Sequence, residues 1–314
     1  MLCNPVFIEE VDVVGIKPFD IDFSDALLRD PKEDVDTILR RAAQQITQAK
    51  KLYPIVTEIE CFSDSEPASP IEPQGPIRIL MLHGYTQSGE FFNSKTRKLR
   101  EGIIAGLKNE LALQYTQGVE FLYPDAPHLL LPSDIPGHES VSADTDELHG
   151  WFNFNDQPFA GLEQSLSYII EYMRSVGPID GVIGFSQGGA MAMMIASLCE
   201  GQTNPARLEA LAKQPISMTY QPPQGPMKFA ISMSGFRGTT DHYSGFYNPI
   251  IETPAMCIVA ELDTMIGADI SDLLIEHIQD PKVVRHRGGH YVPTDKKSLN
   301  SVSEFIRERM AEAF

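Results

Sequence analysis

From residue 77 onward, short, mainly apolar runs, two of them unbroken, alternate with longer stretches whose apolar residues return every three or four positions. The runs at 77–82, 119–123, 181–185, 228–232, 255–260 and 282–286 predict strands, and the stretches at 95–113, 161–175, 188–198, 271–279 and 295–310 predict helices. A strand that is apolar at successive positions has no face to turn toward water. Such strands belong in a parallel sheet with helices over both faces, so the expected class is α/β. Sites in these sheets form at the carboxyl ends of the strands. Ser186, Asp263 and the loop carrying His290 would all emerge there.

The pattern before residue 77 is different. Residues 1–62 are read as an acidic extension with one amphipathic helix at 34–52, where Val35, Ile38, Leu39, Ala42, Ile46, Ala49 and Leu52 recur at helical steps. Residues 63–76 are rich in Pro, Ser and Glu and read as a linker, leaving 77–314 as the α/β domain. Within it, 128–150 is expected to be a long polar loop and 200–226, rich in Pro and Gln, a surface insertion.

Charge narrows the possible partners. Asp and Glu number 43 against 25 Lys and Arg, a net charge of −18. That balance argues against nucleic acid, which needs clustered Lys and Arg, and against an anionic membrane surface. The four cysteines show no C-x-x-C spacing, so neither a zinc site nor a disulfide framework is expected; Cys199 and Cys257 sit in apolar surroundings as reduced thiols. Glu9, Glu10 and Asp12 stand where the apolar core of a signal peptide would be, and no apolar run approaches a membrane span. A soluble, cytoplasmic protein is expected.

The chemistry centres on Gly184-Phe185-Ser186-Gln187-Gly188, a G-x-S-x-G pattern between an apolar strand and a Met/Ala-rich helix. On this reading the glycines are required because a Cβ at 184 or 188 would strike the neighbouring strand or helix. The plainer alternative is an ordinary glycine-containing turn. A serine nucleophile needs a base, and the base an orienting acid. Of the histidines after Ser186, His277 falls in a helical pattern, His286 in a strand, and His242 precedes any suitable acid; His290, behind Gly288-Gly289, can reach back over the sheet. Asp263, just after the 255–260 strand, is the favoured acid, although a turn aspartate would look the same. Asp269 is the second candidate, at a position that suits a helix cap. Oxyanion donors are expected from the Gln187 N–H and from the loop His83–Gly89, where Tyr85 N–H is the candidate and Gly84 permits close approach. His83 is expected to pack or hydrogen-bond beneath the site. Met191, Met193 and Met194 suit helix packing, and no metal or cofactor motif stands in a fitting place.

Six ordered segments then resemble a known family: Leu82–Gly89, Tyr123–His128, Gly150-Trp151-Phe152, Gly177–Gly189, Ile231–Phe236 and His286–Pro293. Together they are similar to the FSH-type serine hydrolases, mainly fungal α/β-hydrolases related to the human ovarian-cancer-associated hydrolase. The likeness spans about residues 76–312 and leaves the first 70 residues outside the shared pattern. It implies an α/β-hydrolase fold with an N-terminal extension, a Ser186–Asp263–His290 triad, and hydrolysis of carboxylic esters or thioesters of apolar acyl groups. It also implies that Trp151 and Phe152, near Phe154 and Phe159, border an acyl pocket, although core packing would account for them equally. Family members include general esterases and thioesterases that release a polyketide, so an acyl carrier protein is a conceivable partner. The competing reading is a non-catalytic binding protein that docks through its N-terminal helix.

Overall fold

The computed structural model describes residues 75–107, 117–131, 148–153, 160–214, 221–238 and 243–311. The helix expected at 34–52, most of the linker, Phe154, Phe159 and His242 lie outside the described residues. Among the described residues, β1 (Ile77–Leu82), β2 (Val119–Leu122), β5 (Gly181–Phe185), β6 (Phe229–Met233), β7 (Ala255–Ala260) and β8 (Lys282–His286) form one sheet in the order β2-β1-β5-β6-β7-β8. Every neighbouring pair in it is parallel. Two short strands, β3 (His128–Leu129) and β4 (His149–Gly150), pair antiparallel and tie the two ends of the 128–150 loop together.

Burial explains the sequence pattern. The interior strands β5, β6 and β7 are buried at every position, which is why they read as continuous apolar runs. The edge strands differ: β2 has only half-buried and exposed positions, and β8 has a single buried one. In β1, Leu80 and Leu82 join one core while Ile77, Ile79 and Met81 join the other, the alternation a two-faced strand imposes. The first core is filled by α3 (Leu162–Val176) and α4 (Gln187–Glu200); the second by α2 (Arg97–Leu107) and α8 (Lys296–Ala311). Helix α4 is buried along its whole length, and Met191, Met193 and Met194 are core side chains, as their spacing suggested.

The structure corrects two expectations. The helix read at 95–113 begins at Arg97 as α2 and is described as far as Leu107, and a separate helix that was not expected, α1 (Gly89–Lys95), precedes it and is capped at Thr96. Ser88 caps α1 by accepting from Phe91 N at 3.1 Å. Thr96 Oγ1 bonds to Phe92 O at 2.8 Å and to Tyr123 Oη at 2.6 Å, a contact with a distant strand end that no local pattern announces. The segment 200–226 is more than a surface insertion, since it contains α5 (Pro205–Ala212), capped by Asn204 and anchored by the fully buried Arg207. The remaining helices are α6 (Ser244–Tyr247) and α7 (Ala268–Ile275).

Candidate active site

Ser186 stands between β5 and α4 with φ 54° and ψ −119°, a strained conformation for a residue with a Cβ. Its N–H donates to Met233 O at 2.8 Å, which pins the corner to the end of β6. The flanking glycines are sterically forced. A Cβ on Gly184 would lie 2.0 Å from Gly188 O, and one on Gly188 would lie 2.1 Å from Leu82 O. The corner therefore holds its hydroxyl above the carboxyl ends of the central strands.

The other two residues arrive on separate loops. His290 Nε2 is 2.9 Å from Ser186 Oγ, and His290 Nδ1 is 2.7 Å from Asp263 Oδ2. The second carboxylate oxygen of Asp263 accepts from the backbone N–H of Met265 and of Ile266, each at 2.9 Å. Burial alone would raise this carboxyl, but the His290 hydrogen bond, the two backbone donors and the His290 charge together hold it below its ordinary value. Asp263 is thus an anion that accepts from His290 Nδ1–H. In the neutral ring Nε2 then carries no proton, and it faces Ser186 Oγ as an acceptor. The His290 loop is fixed by Leu262 N donating to Gly288 O at 3.0 Å, and the Phe185 ring lies 4.8 Å from the imidazole.

The structure separates the other candidates from this chain of bonds. Asp269 lies in the first turn of α7 with its Oδ1 against Gly267. His277 follows α7 and packs beside Tyr247, and His286 ends β8 beside Tyr291. A Cβ on Gly84 would lie 3.4 Å from Ser186 Cβ, so the loop after β1, where an oxyanion donor was expected, passes directly beside the serine before Tyr85. Gln187 opens α4, where helix N–H groups point outward.

Sequence reasoning gave Gln187 only a backbone role, yet its side chain is equally engaged. Oε1 accepts from Trp151 N at 2.7 Å and Nε2 donates to Phe152 O at 2.6 Å. Trp151 and Phe152 are 0% and 1% exposed and belong to the core behind the site. The Trp151 indole donates to His83 O at 2.9 Å. His83 lies under the loop as expected: Nε2 accepts from Ala126 N at 2.9 Å and Nδ1 donates to Gly84 O at 2.7 Å. Burial lowers its pKa from 6.5 to about 4.

A consequence for stability follows from that shift. Between about pH 6.5 and pH 4 the unfolded chain carries a proton on residue 83 that the folded chain lacks, so acidification through this window favours unfolding. A shift of this size corresponds to about 3 kcal/mol at full development. Urea unfolding at pH 7 and pH 4.5 should show the parent losing more stability than His83→Asn; equal losses would contradict it.

Among the described residues no group of His, Cys, Asp and Glu is arranged to hold a metal, and no helix is long and apolar enough to cross a membrane.

A parallel sheet with a serine at a strained strand-to-helix corner, hydrogen-bonded to a histidine that is in turn hydrogen-bonded to an aspartate from another later loop, defines the α/β-hydrolase class. The chain belongs to the FSH1 serine hydrolase family, whose sequence model matches residues 74–302. It is 31% identical to "Family of serine hydrolases 3" of Saccharomyces cerevisiae over 73% of this chain and 83% of that protein. It is also 31% identical to "Esterase OVCA2" of Xenopus tropicalis over 73% and 92%. A Schizosaccharomyces pombe protein named "Dihydrofolate reductase" is 29% identical over 74% of this chain, and the match spans only 47% of that longer protein. The protein is a serine hydrolase that acts on ester bonds.

Proposed function

We propose that the protein hydrolyses carboxylic esters or thioesters of apolar acyl groups through an acyl-enzyme on Ser186. The observation that carries this reading is the continuous bond chain from Asp263 through His290 to Ser186, at 2.7 and 2.9 Å. In acylation, His290 Nε2 takes the serine proton as Oγ bonds to the acyl carbon, then delivers it to the leaving alcohol or thiol. Water repeats the sequence on the acyl-serine and releases the acid. The N–H groups of Tyr85 and Gln187 hold the oxyanion in each half. An apolar acyl group is supported by Leu262, Met265 and Tyr291, large apolar side chains more than half exposed on the loops that bear Asp263 and His290.

A carrier-bound thioester is the second substrate class for the same chemistry, separated from small esters by comparing kcat/KM on a carrier-protein thioester and a free ester. Two buried, unpaired thiols, Cys199 and Cys257, suit a reducing cytosol. The family match over 74–302 supports the hydrolase domain read at 77–314.

Fluorophosphonate treatment followed by peptide mass spectrometry tests the nucleophile. An adduct is expected on Ser186, lost in Ser186→Ala and formed far more slowly in His290→Ala. A folded parent that takes no adduct would return the non-catalytic reading to the front.

A further inference from the structure

Gly84 joins two peptide groups at the edge of the site. Bonds from elsewhere hold both of them. In the first, the His83 carbonyl accepts from Trp151 Nε1 at 2.9 Å and the Gly84 N–H donates to Gln87 Oε1 at 2.9 Å. In the second, the Gly84 carbonyl accepts from His83 Nδ1 at 2.7 Å, and the opposite end of that group is the N–H of Tyr85. The donor at His83 is unambiguous. Because Nε2 accepts from Ala126 N, the single proton of the neutral ring sits on Nδ1.

The carbonyl and N–H of a trans peptide point in opposite directions from one rigid plane. A bond that fixes the Gly84 carbonyl therefore also fixes where the Tyr85 N–H is aimed. Glycine makes an external hold necessary. A side chain at 84 would restrict the backbone, but no Cβ fits comfortably there: it would stand 3.2 Å from Phe185 Cδ1 and 3.4 Å from Ser186 Cβ. The most permissive residue of the loop thus sits where aim matters most.

We infer that His83 is a positioning residue for ester hydrolysis: its Nδ1–H turns the Gly84–Tyr85 peptide so that Tyr85 N–H faces the oxyanion formed on Ser186, while Gln87 holds the adjoining peptide. This rests on the reading of Ser186 as nucleophile and Tyr85 N–H as oxyanion donor.

Two substitutions divide the ring's functions. An asparagine amide reaches the position of Nδ1, so His83→Asn keeps a donor for Gly84 O and loses the acceptor for Ala126 N. A glutamine amide reaches the position of Nε2, so His83→Gln keeps that acceptor and loses the donor. Turnover of a small ester, expressed per site titrated to completion with a fluorophosphonate, should fall about 10²-fold in kcat for His83→Gln, near the loss of an oxyanion donor. KM should stay within about threefold, and His83→Asn should keep kcat within about tenfold of the parent. A trifluoromethyl ketone, whose serine adduct carries the oxyanion, should lose affinity in His83→Gln by the same factor as kcat/KM. Equal losses in both variants, or unchanged kcat in His83→Gln, would overturn the positioning role. If either variant does not fold, Gln87→Met is the second test. It removes only the grip on Gly84 N–H and should lower kcat about fivefold at constant KM; unchanged kcat would count against the inference. A Ser186→Ala control separates the two levels. Retained turnover there sinks the nucleophile reading and this one with it, whereas an inactive control with parent-like His83 and Gln87 variants sinks only this one.

Discussion

Ester turnover is expected to fall about 10⁶-fold in Ser186→Ala and about 10⁴-fold in Asp263→Asn, with both variants folded. On the proposed mechanism, the first removes the atom that bonds to the acyl carbon. The second is more instructive, because the surroundings of residue 263 dictate how an amide would sit. The Oδ1 position accepts from Met265 N and Ile266 N, so the asparagine must turn its carbonyl oxygen toward them. Its NH₂ group is then left facing His290 Nδ1, where Asp263 Oδ2 now lies at 2.7 Å. A donor at that point makes Nδ1 the acceptor and moves the ring proton to Nε2. Nε2 is the atom 2.9 Å from Ser186 Oγ, and once protonated it cannot act as base. The anion that would balance the imidazolium is lost as well. Rates on a p-nitrophenyl ester, with circular dichroism to verify folding, measure the effect. A loss of less than tenfold in Asp263→Asn would mean that another acid orients His290, with Asp269 the first to examine.

Much of this arrangement was legible because the relevant constraints are local. The interior strands announce themselves through burial on both faces, and β1, β5, β7 and β8 begin and end where the apolar runs do. The Gly184–Gly188 spacing records a steric conflict between atoms only a few residues apart. His290 and Asp263 could be chosen by the ends of predicted elements, since the sheet itself brings those ends together. What escaped notice depends on polar partners far away in sequence. Thr96, between α1 and α2, bonds to Tyr123, 27 positions on. Gln187 grips the backbone of Trp151, 36 positions away, although it looked like the variable residue of a motif. Periodicity shows that a side chain is buried, but a hydrogen bond across the core leaves no period. Arg207 shows the reverse error: a charged residue in a polar stretch reads as surface, yet its guanidinium is 0% exposed because a carboxylate and two carbonyls surround it.

That guanidinium supports the second large prediction. Glu200→Ala should cost about 3–5 kcal/mol of folding stability, the usual loss when one member of a buried ion pair is removed. Glu200 Oε2 receives Arg207 Nε at 3.2 Å and Nη2 at 3.1 Å. Its Oε1 receives Thr253 N at 2.6 Å, Thr253 Oγ1 at 2.7 Å and Glu252 N at 2.9 Å. Arg207 extends the network to Gly245 O and Ile250 O. One carboxylate thus binds the end of α4 to α5 and to the segment leading into β7, while Arg207 brings in α6. Alanine would leave a buried cation, the buried Thr253 N–H and the part-buried Glu252 N–H without their partner, the most expensive way to break such a network. The effect should be confined to stability. Glu200 ends the 14-residue helix that Gln187 begins, so it lies about 20 Å along the helix axis from the serine corner. Urea unfolding should therefore show the full loss at pH 7, while kcat per titrated site stays within about twofold of the parent at temperatures where the variant is folded. A loss below about 1 kcal/mol would show a pair that behaves as if solvent reached it. A large fall in kcat per folded site would instead show that α4 transmits strain from one end to the other, making the ion pair a support for the serine corner as well as for the fold.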